Sequence, residues 1–443
     1  MTERSNHSID KVRELQNRLY MAAKRSPNRR FHALFDRIHR GDVLGEAWRR
    51  VKSNRGAAGV DGETLKAIEQ RGVDGFLQGI QECLKAGTYR PQPVRRRYIS
   101  KSDGKQRPLG IPTVRDRVVQ MAAKLVIEPI FEADFKDCSY GFRPKKSATE
   151  ALEAIRLVAG RGHRFVVDGD IKSYFDTIDQ GLLLERVKRR ISDQRVLKLL
   201  RKWLQAGVME EGTVRDTDLG SPQGGVISPL LANIYLDHLD GVWEERCRHI
   251  GRLVRYADDF VVLCATREAA DEALRRLKIV FGRLRLTLHP DKTRIVELGL
   301  GKDGFNFLGC YLRIVLSHHK GREYLFRWPS VKAMKKVRDR VRGLTDRSRR
   351  AGMKDIREVI RDLNPVLRGW GNYFRTGNAS LKFQRIDRYV GRRLVSLLAR
   401  RGGARKRKKP FRRDDWPHER FVKEHGLYRL LGTIRYPGGA KTA

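Results

Sequence analysis

The residues best suited to chemistry in this chain are acids. Tyr256-Ala257-Asp258-Asp259 places two adjacent carboxylates between the apolar runs Leu253-Val254-Arg255-Tyr256 and Phe260-Val261-Val262-Leu263. Like charges this close raise each other's pKa unless a cation neutralises them. Mg2+ meets that need, because it takes hard oxygen ligands and keeps waters for a phosphate substrate. Taken alone, the pair reads equally well as an acidic hairpin turn in solvent, since Asp is a common turn residue. A further acid changes the balance: Val166-Val167-Asp168-Gly169-Asp170 is an apolar strand that delivers Asp170 at its end. Two-metal phosphoryl transfer needs carboxylates from separate strands to hold two ions about 4 Å apart, one activating a 3′-hydroxyl and one supporting pyrophosphate as it leaves. On this reading Asp170 and Asp258 bridge both ions, and Asp259 is a closer or outer ligand.

The elements that must position these acids follow from periodicity and turn residues. Strands are expected at 95–100, 107–112, 164–170, 253–256, 260–263, 294–298 and 305–314, with Ser102-Asp103-Gly104-Lys105 as a hairpin turn. Helices are expected over 11–52, 114–131, 182–206, 229–246, 267–284 and 331–400, and Ser147 and Glu150 have capping-box spacing at the head of another. Residues 427–436 suggest a small strand pair. Asn54-Arg55-Gly56-Ala57-Ala58-Gly59-Val60-Asp61-Gly62 is a Gly-rich break, either a plain interhelix loop or a backbone lying near a nucleic-acid strand. Strands mixed with helices in the middle and helices at both ends indicate an α+β core with helical flanks.

Composition narrows the partner. Among 443 residues, 94 are Lys or Arg and 52 are Asp or Glu, a formal charge of +42. Such a balance points to a polyanion, with nucleic acid first and anionic membrane a weaker second, since no apolar anchor accompanies the basic residues. No apolar stretch reaches membrane-spanning length and no apolar core follows the N-terminus, so no membrane partner and a cytoplasmic, nucleoid- or ribonucleoprotein-associated location are expected. Cys83, Cys138, Cys247, Cys264 and Cys310 form no CxxC pair and read as reduced thiols that pack rather than bind zinc. From Arg400 to Arg413 nine of fourteen residues are Arg or Lys, a solvated basic segment.

The motifs in order resemble a known family. Asp170-Ile171-Lys172-Ser173-Tyr174-Phe175-Asp176, Ser221-Pro222-Gln223-Gly224-Gly225 and Tyr256-Ala257-Asp258-Asp259 occur in reverse-transcriptase order. The similarity extends to Gly104-Lys105-Gln106-Arg107-Pro108-Leu109-Gly110-Ile111-Pro112, Tyr140-Gly141-Phe142-Arg143-Pro144, Leu288-His289-Pro290-Asp291-Lys292-Thr293 and Phe307-Leu308-Gly309. Leu363-Asn364-Pro365-Val366-Leu367-Arg368-Gly369-Trp370-Gly371-Asn372-Tyr373-Phe374 resembles the maturase segment of group II intron-encoded proteins. The resemblance covers residues 30 to 436. It implies a right-hand polymerase, with fingers, a palm built on a ferredoxin-like (RRM-like) antiparallel sheet, and an α-helical thumb or maturase (X) domain. The corresponding divisions are 1–94 (N-terminal extension and start of fingers), 95–165 (fingers), 166–315 (palm), 316–400 (thumb) and 401–443 (basic DNA- or RNA-binding segment).

The resemblance also assigns roles. Asp170, Ile171, Asp258 and Asp259 would hold two Mg2+ ions. Phe175 sits where the family places a steric gate against a ribose 2′-hydroxyl; the bland alternative is a core ring, and Tyr174 is its neighbour. Gln223 would touch the incoming nucleotide or template, Ile171 the nucleotide, and Lys292 would protonate pyrophosphate. Lys101 and Arg107 would clamp the triphosphate, and Arg143 could bind template phosphate. Trp370, Tyr373 and Phe374 read as hydrophobic core before base-stacking residues. The implied function is an RNA-directed DNA polymerase that also binds its intron RNA as a splicing maturase. Its partners would be group II intron RNA, an RNA template with a DNA primer, target DNA and dNTPs. No paired cysteines follow Cys310, so the resemblance is to the endonuclease-lacking, class C-like group. Two alternatives stay open: a related polymerase recruited to defence, repair or spacer acquisition, and a maturase-only RNA-binding splicing factor.

Overall fold

The computed structural model describes residues 2–100, 106–210, 213–215, 224–317, 321–346, 355–399 and 412–436. Eleven strands are described: β1 Val94–Ser100, β2 Gln106–Ile111, β3 Phe165–Gly169, β4 Val208–Glu210, β5 Thr213–Arg215, β6 Arg252–Tyr256, β7 Asp259–Cys264, β8 Arg294–Glu297, β9 Phe305–Phe307, β10 Cys310–Ser317 and β11 Arg322–Pro329. Their sheet orders are β2-β1-β4-β5, β6-β7-β3-β8 and β11-β10-β9. The chain divides into two compact units, Met1–Ser147 with Gly169–Val262 and Asp271–Arg294, and Ala148–Asp168 with Leu263–Ala270 and Ile295–Ala443.

In the first unit, β1 and β2 pair antiparallel from Arg95 opposite Ile111 to Ser100 opposite Gln106. The expected turn at 102–105 lies outside the described residues. Helices Thr2–Arg25 and Gly41–Ser53 pack on helix Val114–Glu132, whose apolar residues are buried nearly all round. The stretch expected as one helix over 11–52 is broken, with Pro27 just beyond the first helix's end at Arg25, and so is the one over 182–206. One carboxylate starts the next helix after each of these breaks. The Asp193 carboxylate accepts the backbone N–H groups of Leu34 and Phe35, each at 2.9 Å, and caps helix Gln194–Leu204 through Arg195 N at 3.0 Å. Orphan amides at a helix start need such an acceptor. The Gly-rich break is tied down: Arg117 donates to the Ala57 carbonyl at 2.6 Å, and a Cβ on Gly59 would lie 2.6 Å from the Thr113 backbone.

Helix Ser228–Val242 runs through this unit's core and ends in a π-helical turn, Trp243–Cys247. Two acids on its last turns have opposite fates. Asp240 is fully buried and paired with Arg255. Asp237 borders a broad cleft of about 1790 Å³ between the N-terminal helix and this one, and its Oδ1 is buried with no hydrogen-bond partner.

In the second unit, β10 pairs antiparallel with β9 and along its whole length with β11, a strand that the sequence reading did not anticipate. Helix Ala148–Gly160 packs on β11. Helices Val331–Leu344, Ile356–Phe374 and Ser380–Ala399 pack together, and Pro365 is accommodated inside the second. Phe374 is buried and the Trp370 ring lies 5.0 Å from it and 5.4 Å from Phe383, so these two are core. Tyr373 is 39% exposed and its hydroxyl donates to the Leu308 carbonyl. Residues 427–436 form no strand pair. The Leu430 and Leu431 N–H groups donate to the Asp387 carboxylate, at 3.0 and 2.9 Å, instead of to a neighbouring strand. Most of the basic segment lies outside the described residues. All five cysteines are free thiols, and no described helix is long and apolar enough to cross a membrane.

Asp237 yields a pH signature. Burial first, and then the Asp240 charge, push its carboxyl up from 3.8 to about 7. Between those values the native state binds a proton that the unfolded chain has lost, so this group's contribution to stability falls as pH rises from about 4 to about 7 and is level above. His238 beside it, pushed down to about 4 first by burial, acts in the opposite direction, so the comparison must be between wild type and Asp237→Asn. The variant is expected to gain on wild type as pH rises through this window, by at most ~4 kcal/mol at pH 8. Urea unfolding at pH 4.5 and pH 8 measures it; an equal difference at both values refutes the reading.

Candidate active site

The β6–β7 hairpin turns at Ala257 and Asp258, and Asp259 is already the first residue of β7. Ala257 has φ of 58°, a conformation that a residue with a Cβ adopts only when its surroundings hold it there. The holder is Arg255, whose side chain is fully buried. Its Nε donates to Asp240 Oδ1 at 2.8 Å, Nη1 to Asn233 Oδ1 at 3.1 Å and to the Ala257 carbonyl at 2.9 Å, and Nη2 to Ser139 Oγ at 2.7 Å and to Asp240 Oδ2. These contacts use all five guanidinium N–H groups. Burial works against the charge, but Asp240 more than offsets it and the pKa of Arg255 is raised.

The same network anchors the segment carrying Tyr140-Gly141-Phe142-Arg143. The Arg255 N–H donates to the Cys138 carbonyl, and the Tyr140 N–H to the Arg255 carbonyl, both at 2.8 Å. Asn233 Nδ2 donates to the Gly141 carbonyl at 2.8 Å. Gly141 lies so close to the hairpin that a Cβ would stand 2.3 Å from Ala257 N, which only glycine allows. Arg143, expected as a possible template contact, is instead buried. Its guanidinium pairs with Glu132 at 2.7 Å and donates to the Lys136 and Ser139 carbonyls, so it has no donor to offer a phosphate.

Asp170 is the first residue beyond β3. Its carbonyl accepts from His289 N at 2.8 Å, Lys172 N donates to Thr287 O at 3.0 Å, and Ile171 bridges Leu288 antiparallel. This pairing brings Lys292 alongside, and its Nζ donates to Asp170 Oδ2 at 2.6 Å. One close contact sets this segment beside the hairpin, and a charge effect and a shared cleft agree with it. A Cβ on Gly169 would lie 2.3 Å from the Phe260 ring, with Asp170 and Asp259 one residue away on either side. Burial raises the Tyr174 phenol well above its ordinary value, Arg255 opposes that, and the Asp258 charge adds to it. Phe175 joins Asp258, Asp259 and Tyr256 around a cleft of about 320 Å³. Tyr174 is fully engaged in the core, its hydroxyl donating to the Ala232 carbonyl at 2.6 Å, so of the two rings Phe175 is the one at the cleft.

Three carboxylates on adjacent segments are a hard-oxygen donor set suited to Mg2+. Among the described residues no three His, Cys, Asp or Glu side chains are gathered into a metal group, and the Asp170 carboxylate is turned to the Lys292 ammonium. That ion pair is itself a cation beside a carboxylate, the arrangement which a metal ion would replace. The Ile171 side chain is a buried hydrocarbon with no donor atom, so only its backbone carbonyl could be a ligand. Gly224 and Gly225 line the cleft, and at Gly224, with φ of 115°, a Cβ would lie 2.3 Å from the Gly110 carbonyl of β2. Gln223 and Lys101 lie outside the described residues. Arg107 stands opposite Ile99 in β2, and only its backbone is described. The residues that sequence reading missed are Arg255, Asp240, Asn233 and Ser139. One signal was present: by strand alternation Arg255 shares a face with Leu253 and Ala257, an inward position at which a charge requires a partner.

Removing the guanidinium leaves Asp240 buried without its counter-charge. Arg255→Met is expected to lower stability by about 3–5 kcal/mol. Denaturant unfolding measures this, and a loss under about 1 kcal/mol, the range of an exposed pair, contradicts the network's role.

Comparison with known proteins agrees with this geometry. The reverse transcriptase (RNA-dependent DNA polymerase) family model matches residues 99–312, and the group II intron maturase-specific domain matches residues 334–416. Protein YkfC of Escherichia coli (strain K12) is 40% identical over 337 residues, 67% of this chain and 87% of that protein. The group II intron-encoded protein LtrA of Lactococcus lactis subsp. cremoris is 43% identical over 215 residues, 47% of this chain and 35% of LtrA. A 91 kDa protein in the cob intron of Schizosaccharomyces pombe is 29% identical over 404 residues, 75% of this chain and 49% of that protein. With a polymerase and a maturase domain in series, and a relative matched over most of its length, the chain belongs to the group II intron reverse transcriptase–maturase family.

Proposed function

We propose that this reverse transcriptase extends a DNA primer on an RNA template with dNTPs at Asp170, Asp258 and Asp259, and that its helical C-terminal region binds intron RNA to assist splicing and mobility into target DNA. The observation that carries the catalytic assignment is the packing of Gly169 on Phe260, which sets the Asp170 segment beside the hairpin. Asp170, Asp258 and Asp259, with the Ile171 carbonyl, would hold two Mg2+ ions. Bound there, Mg2+ supplies Lewis-acid activation of the 3′-hydroxyl and charge neutralisation at the leaving pyrophosphate.

The protein's own groups do the positioning. Arg255 fixes the Ala257 carbonyl and so the direction in which Asp258 leaves the turn. Lys292, whose side chain is 61% exposed, can swing from Asp170 to a phosphate oxygen and give its proton to the departing pyrophosphate. Phe175 presents a rigid ring at the cleft where a 2′-hydroxyl would lie, which favours deoxynucleotides. Gln223, which precedes Gly224 in sequence, would touch the nucleotide, and Lys101, which follows Ser100 in sequence, and Arg107 of β2 would hold the triphosphate through charge-assisted contacts. The divisions 95–165, 166–315 and 316–400 serve as fingers, palm and thumb, with 401–443 a basic nucleic-acid-binding segment acting in the cytoplasm.

Primer extension tests both parts. Asp258→Ala is expected to lower dNTP incorporation by about three orders of magnitude or more while RNA binding, measured by filter retention, stays within about twofold. Persistent synthesis by that variant contradicts the catalytic assignment, and a folded wild type that binds intron RNA without incorporating dNTPs makes the chain a splicing factor alone. Phe175→Ala is expected to raise rNTP incorporation relative to dNTP roughly 10–100-fold; an unchanged ratio removes the gate.

A further inference from the structure

Helix Val114–Glu132 carries three buried polar side chains near its start, Asp116, Arg117 and Gln120, and each reaches a different segment. Asp116 accepts from the Tyr89 hydroxyl at 2.5 Å and from Gln92 N at 3.1 Å. Arg117 donates to the Ala57 carbonyl. Gln120, only 6% exposed, turns its Oε1 to the Val226 N–H at 2.8 Å. A buried side-chain amide is costly unless hydrogen-bonded, so this contact holds both partners in place. Val226 follows Gly224 and Gly225, which line the 320 Å³ cleft with Asp258, Asp259 and Phe175, and it precedes Ser228, which lines the cleft too. Gly224 is fixed independently, since at its φ of 115° a Cβ would have no room against the Gly110 carbonyl. The turn is therefore held at two points, one on β2 and one on the helix that follows β2.

We propose that Gln120 is a positioning residue that shapes the cleft for the incoming dNTP, acting through the Gly224–Val226 turn without touching the nucleotide. The inference rests on the polymerase reading above and adds to it a determinant of nucleotide affinity. Gly224 and Gly225 have no side chains, so main chain borders the cleft there and its position decides the fit. Without an acceptor at residue 120 the Val226 N–H has to turn to another partner, and the turn moves with it. The movement stays local. Helix Ser228–Val242, which begins at this turn, is held farther along by Asn233 on the Gly141 carbonyl and by Asp240 on Arg255. The contacts that hold the β6–β7 hairpin and the Asp170 carboxylate do not include Gln120. Its effect therefore falls on binding of the dNTP and not on the step that follows.

The test is single-turnover addition of one dNTP to a labelled DNA primer on an RNA template, using the full chain with Mg2+. Gln120→Met keeps the length and helix propensity of the side chain but offers no acceptor of comparable strength. It is expected to raise half-saturation by dNTP about tenfold, with the rate at saturating dNTP within about twofold of wild type. Gln120→Glu, whose carboxyl oxygen accepts the same N–H, is expected to bring half-saturation back to within about threefold of wild type. Unchanged half-saturation in Gln120→Met overturns the proposal. So does a lower maximal rate at unchanged half-saturation, or a Gln120→Glu variant as weak as Gln120→Met, since the acceptor would then not be what matters. A Gln120→Met protein that no longer folds assigns the residue to the core and overturns the proposal too. A wild type that extends no primer fails the polymerase reading itself, an outcome distinct from these.

Discussion

A guanidinium sealed inside the protein governs the geometry of the candidate site. Arg255 cannot reach water, so each of its N–H groups must find an acceptor within the fold, and each does. The acceptors come from three places: the helix carrying Asn233 and Asp240, the loop carrying Ser139, and the hairpin at Ala257. A planar five-donor fork can hold three segments at fixed angles, which a lysine ammonium cannot. An isolated charge of this kind would be prohibitively costly to bury, so the pairing with Asp240 is a condition for the hairpin to exist in this form.

Three of the seven described non-glycine residues with positive φ lie near that anchor. Ser173, Ala257 and Phe142 all have positive φ without being glycine, and all three adjoin the residues assigned to the cleft. Glycines sit where side chains are excluded by backbone or ring: Gly141 against Ala257, Gly169 against Phe260 and Gly224 against Gly110. The close approach of Gly169 to Phe260 lays the stretch carrying Asp170 against β7, and the Lys292 ammonium balances the Asp170 charge.

The acids themselves were legible in the sequence. Asp170 follows an apolar run and Asp258-Asp259 interrupts another, and acids that break short continuous apolar runs are visible as such. The β1–β2 pairing was readable from the turn residues between two strand-like runs, and the helix at Val114–Glu132 from its length and apolar content. What could not be read depends on contacts far apart in sequence. Asp193 starts two helices because its carboxylate reaches residues 34 and 35 as well as its own first turn. Arg143 resembles a phosphate ligand in sequence, but Glu132, on the helix before its loop, occupies it. Asp387 takes the amides that a strand at 427–436 would have used. In each case a buried polar group chose its partner through the tertiary fold, which local propensity does not encode.

The most direct measurement is the position of bound metal. Crystals of the full chain with an RNA template and a chain-terminated DNA primer, with Mn2+ in place of Mg2+ and a non-hydrolysable dNTP, allow the ions to be located by anomalous scattering. Two peaks about 4 Å apart are expected among the oxygens of Asp170, Asp258 and Asp259, with the Lys292 ammonium displaced from Asp170. Peaks elsewhere, or none while Lys292 stays on Asp170 with primer and nucleotide bound, would contradict the convergence of these carboxylates on a shared pair of ions.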